Sequence, residues 1–92
     1  MNIDYSRLPE HMQDSAQLYI EHGIMTGGFL TAVMENDLVE AFARADSINT
    51  EWMREWAFFL YNAPGECWGS PEKVKAWKVR GGLQGHEAQA ER

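Results

Sequence analysis

Apolar side chains recur along this chain at intervals of three and four, and nowhere do they alternate as a strand would require. That period commits the chain to helices. From Pro9, the apolar positions Met12, Ala16, Tyr19 and Ile20 trace one helical face. Pro9 suits a first helical position, because it has no N–H to leave unsatisfied. Gly23 suits the left-handed residue after the end, with Ile24 placed to close the last turn. A helix is predicted over roughly residues 9–22.

Thr26 can cap a second helix, and Gly27–Gly28 let the backbone turn sharply before Phe29, Leu30 and Val33 resume a helical face. The next stretch reads in two ways. Asp37 with Glu40 has capping-box spacing, and Leu38, Ala41, Phe42 and Ala45 start a new stripe. Yet Leu30, Met34, Leu38, Ala41 and Ala45 would also align on one continuous helix. Two short helices with a kink at Asn36–Asp37 are the preferred reading.

Asp46, Ser47 and Asn49 are cap candidates for a helix that carries Ile48, Trp52, Trp56, Phe59 and Leu60 on one face. Its end, "WAFFLY", is apolar all round, the mark of a helix buried on most sides. This is the expected centre of the core. Pro64–Gly65 turns the chain. Ser70 then caps a last helix with Pro71 at its first position, Glu72 at the positive end of its dipole, Lys78 and Arg80 in its last turn, and Gly81 as its stop. The expected fold is all-α: one small bundle of four or five short helices over residues 1–83, with 84–92 a flexible C-terminal tail.

Composition narrows the function. Ninety-two residues, 45% hydrophobic, make one packed domain of marginal stability, which leaves homo-oligomerisation open. The net charge of −6 is uneven. Residues 1–70 hold 11 acidic against 3 basic side chains, a balance of −8, while residues 71–80 hold one acid against four bases. An acidic body suits a basic protein surface and opposes nucleic acid. A helix-turn-helix reading fails on the same ground, since Asp37, Glu40 and Asp46 would face phosphates against one arginine. Cys67 is the single cysteine, so no internal disulfide can form. "MNIDYSRLPEHM" has no signal-peptide pattern, and no apolar run is long enough to span a bilayer. A cytoplasmic location is expected.

Chemistry-bearing constellations are sparse. His11 and His22 stand about 16 Å apart along one helix, and no HExxH, CxxC, EF-hand or phosphate loop occurs. Neither metal nor cofactor is expected. Cys67 lacks a base nearby in sequence and reads as a buried thiol. Glu40 with Arg44 is an ordinary i,i+4 pair. No catalytic set converges.

What helix chemistry leaves unexplained is "GECWG", a tryptophan in a glycine-flanked loop. The four tryptophans either fill a small core or surface in part as a docking patch. The candidate binding residues are Tyr61 and Trp68 with acidic side chains of the Asn36–Asp46 segment, Asp37 and Glu40 among them. An alternative sets Trp68 above Lys73 and Lys75 as a pocket for a small anionic ligand, such as a nucleotide signal.

"LPEHM", "YIEHGI", "FLTAV", "NDLVEAFARAD", "FLYN", "CWGSPEKVKAW" and "GGL", spread over roughly residues 5–83, resemble a family of small proteins encoded by tailed phages and prophages. "MTGG" departs from the proline-containing turn expected there. The resemblance implies a context and no mechanism: a non-enzymatic accessory protein that binds and modulates a host protein, host-defence components included. No catalytic residue carries over from it.

Overall fold

In the computed structural model, residues 3–85 are described, and their regular structure is entirely helical. The helices are α1 (Glu10–His22), α2 (Gly28–Met34), α3 (Leu38–Arg44), α4 (Ser47–Glu51), α5 (Met53–Asn62) and α6 (Pro71–Arg80). One further turn, α7, covers residues 82–85. Among the described residues, seven helical segments therefore replace the four or five expected. The tail expected from residue 84 begins inside α7 and otherwise lies outside the described residues.

The extra segments have local causes. Asn36 takes a left-handed conformation (φ 63°) that ends α2, and the Asp37 carboxylate then accepts from the Glu40 N–H at 3.2 Å to start α3. The kink at Asn36–Asp37 is thus built from a left-handed residue and a side-chain cap. Asp46 caps α4 in the same manner, accepting from the Asn49 N–H at 2.7 Å. Trp52 (φ −102°, ψ 15°) interrupts the helix that the sequence suggested from Asp46 onward. The break turns Ile48 and Trp52 outward while Trp56 and Phe59 enter the core. Asn49 spans it: its buried side-chain oxygen accepts from the Trp56 indole N–H at 3.0 Å.

Two smaller expectations also shift. Pro9 precedes α1 in an extended conformation rather than occupying its first turn. Gly27, not Thr26, stands at the start of α2, with φ 83° that favours glycine. The termini of α6 match the sequence reading, with the Ser70 hydroxyl accepting from the Lys73 N–H and Gly81 left-handed at the end.

The core centres on α2. Five of its seven residues, Phe29, Leu30, Ala32, Val33 and Met34, are buried. Ala16, Tyr19 and Ile20 of α1, Trp56 and Phe59 of α5, and Val74 and Trp77 of α6 close around it, with Cys67 from the loop. Phe29 meets Trp56 edge to face at 5.4 Å, and Trp56 meets Phe59 likewise at 6.1 Å. The α1 and α6 ends abut at Gly23 and Gly82, where a Cβ on Gly82 would fall 2.6 Å from the Glu21 carbonyl carbon.

α5 is not the central helix that "WAFFLY" suggested. Only Trp56 and Phe59 are buried on it, whereas Phe58 is 42% and Tyr61 87% exposed. The short α2 takes the centre, and its neighbours leave α5 covered on one side.

Candidate protein-docking surface

One flank of α5, carrying Met53, Ala57 and Leu60, faces α3. α3 packs on α2 and buries only Ala41, so Leu38 (66% exposed) and Phe42 remain at the surface one turn apart. Met53, Ala57 and Leu60 rise opposite them along α5, at the 4–3 spacing of one helical face. Between the two walls runs an apolar groove of about 310 Å³, floored by Val33, Ala41 and Trp56. Asp37 stands on the α3 wall and Arg54 on the α5 wall. The Arg54 guanidinium lies 5.6 Å from the Phe58 ring centre, within cation–π range. Tyr61 lies two turns beyond Arg54 on the outer edge of α5.

The candidate residues distribute unevenly around this groove. Asp37 lines it, whereas Tyr61, 87% exposed on α5, is not among the lining residues. Glu40 points to the other side of α3, paired with Arg44 at 3.6 Å in a polar cleft shared with Glu35 and Lys78. Lys73 donates to the Gly65 carbonyl at 3.2 Å, its stem lying over Gly69. Lys75 sits about 200° around α6 from Lys73, so the two lysines do not converge on one face.

Trp68 is half-buried and packs against the core. The loop carrying it is anchored by the Gly69 N–H, which donates to the Met34 carbonyl at 2.8 Å. The Trp68 indole nitrogen is buried and has no hydrogen-bond partner among the described residues. Next to it, Cys67 is fully buried, and burial pushes its thiol up to about 12, so the thiolate needed for nucleophilic attack is suppressed at neutral pH. The "GECWG" loop is thus largely explained by packing.

The walls of the groove, Leu38, Phe42, Met53, Ala57 and Leu60, were not among the sequence candidates. Their signal was present as an apolar excess: "WAFFLY" offers apolar groups on every side, and a helix covered on one side must expose the rest. A second cleft, about 720 Å³, opens between α1 and α4 and includes the half-exposed Ile48 and Trp52. His11 at its edge contacts Asp46 at 2.9 Å, tying α1 to the cap of α4.

Among the described residues no helix is long and apolar enough to cross a membrane, and no group of three His, Cys, Asp or Glu side chains could hold a metal ion. No family model matches the chain, and neither a curated protein nor a solved structure does.

Proposed function

We propose that this chain is a non-enzymatic accessory protein of a phage or prophage that binds and modulates a protein of the host cell, a component of host defence among the candidates. The observation that carries the reading is the apolar groove between α3 and α5, open to solvent, with Asp37 and Arg54 on its walls. Contiguous exposed apolar groups with an aromatic at the edge are characteristic of protein-binding surfaces. The acidic body supplies long-range attraction toward a basic partner surface, raising the encounter rate more than the final affinity. The phage context comes from the resemblance carried by "NDLVEAFARAD" and "CWGSPEKVKAW".

The test is an affinity capture from host lysate with wild type, Leu38→Glu and Tyr61→Ala. Val79→Asp, an exposed site on α6, serves as the control. One host protein retained by wild type and control, and lost from Leu38→Glu and Tyr61→Ala, is the expected result. Equal retention by all four proteins removes the groove from the interface, and no retained protein at all removes the reading.

A further inference from the structure

We propose that the α3–α5 groove also associates with the same groove of a second copy of this chain, about a two-fold axis, when no host protein occupies it. The inference rests on the reading of this face as a docking surface and names what covers it in the protein's free state. Leu38 and Phe42 on one wall and Met53, Ala57 and Leu60 on the other make a face more apolar than a single copy covers. A domain of this length buries only about two-thirds of its chain surface on folding, so an unpartnered apolar face is a substantial share of what remains to be gained.

Charge selects the occupant. The acids nearest in sequence lie outside the groove and are paired elsewhere: Glu40 with Arg44 on the far side of α3, Glu55 with Arg7 and Asp46 with His11. What the groove itself presents is one charge of each sign, Asp37 and Arg54, on opposite walls. Neither forms an ion pair among the described residues. A uniformly basic partner segment would leave Arg54 facing its like, and a uniformly acidic one would do the same to Asp37. A second copy satisfies both, because a two-fold axis midway between them sets Asp37 of each copy against Arg54 of the other. The self-complementarity comes from the two residues' places on facing helices.

Sedimentation equilibrium from micromolar to millimolar concentration tests this on the full chain. Wild type is expected to approach a dimer. Arg54→Glu and Asp37→Lys each place like charges opposite one another, and each is expected to weaken association by about tenfold. An equimolar mixture of the two variants is expected to regain wild-type association. The mixed pair sets the retained Asp37 of one against the retained Arg54 of the other, and the introduced acid against the introduced base. Asp37 caps α3, so its variant is first checked by circular dichroism. If it does not fold, Arg54→Glu decides alone, because raised salt should then narrow its deficit. A wild type that stays monomeric, single variants that associate as wild type does, or a mixture no tighter than its parts overturns the dimer. Host-protein capture lost on Leu38→Glu would still stand in that event, so the two readings fail separately.

Discussion

The indole N–H of Trp77 donates to the carbonyl of Tyr19 at 3.1 Å, and to that of Ile20 at the same distance. These carbonyls belong to the last turn of α1. That of Tyr19 also accepts from the Gly23 N–H at 2.8 Å, so the indole matters most for Ile20, which lies beyond the reach of the helix's own N–H groups. Trp77 on α6 therefore completes a helix that lies far from it in sequence. Replacing Trp77 by Phe keeps most of the ring but removes the donor from a fully buried site. The expected loss is about 1–3 kcal/mol, read from the midpoint of urea unfolding at constant slope.

Trp68 should behave oppositely under the same substitution. Its indole nitrogen is buried without a partner among the described residues, so Trp68→Phe removes a desolvated donor and little else. Stability within about 1 kcal/mol of wild type, or above it, is expected. Trp68→Ala, which also strips the packing of the ring against the core, should cost about 2 kcal/mol or more. A large loss in Trp68→Phe would show that the nitrogen has a partner after all.

Gly82 takes φ 71°, and a Cβ there would lie 2.6–2.7 Å from the backbone of Glu21, His22 and Gly23. Left-handed strain alone costs about 1–2 kcal/mol, and backbone cannot move aside as a side chain can. Gly82→Ala is expected to lower the thermal midpoint by about 4 °C or more, with separation of the α1 and α6 ends as the cause. A midpoint unchanged from wild type would mean that the two ends are not held in contact.

Cys67 provides an internal reporter. Its thiol is buried and raised to about 12, so a thiol reagent at neutral pH should modify it only through opening of the fold. The modification rate is expected to rise with urea in step with the unfolded fraction. The linked pH effect has a definite sign. The folded protein holds this proton more tightly than the unfolded chain does. Its contribution to stability is thus fully present below the unfolded value of about 8.5, and it declines as pH rises toward about 12. Rapid modification of native protein at pH 7 would contradict the burial.

How much of this was legible in advance depends on the range of the interaction. The punctuation was readable because each signal acts within a few residues. Gly23, Asp37, Asp46, Ser70 and Gly81 end or start helices through their own backbone or the next turn. The break at Trp52 was not readable, because its geometry goes together with a side-chain bond between Asn49 and Trp56 across the junction. The centre of the core was misassigned for a related reason. "WAFFLY" is apolar in all directions and so names no side, while "FLTAV" is short enough to be surrounded. Asp37 and Tyr61 were readable as surface groups, but the groove between α3 and α5 exists only once two separate helices stand side by side.

The bond from Trp77 to the end of α1 also bears on when the fold can form during synthesis. The two acceptors precede their donor by 58 and 57 residues. A nascent chain with α1 through α5 outside the ribosome still lacks the group that completes its first helix and the strip of core that α6 brings. Such non-local closure is slow relative to local helix formation. The full core therefore cannot close until residue 77 has emerged. Until then the chain's hydrophobic segments remain accessible to chaperones and proteases, a delay written into the order of its helices.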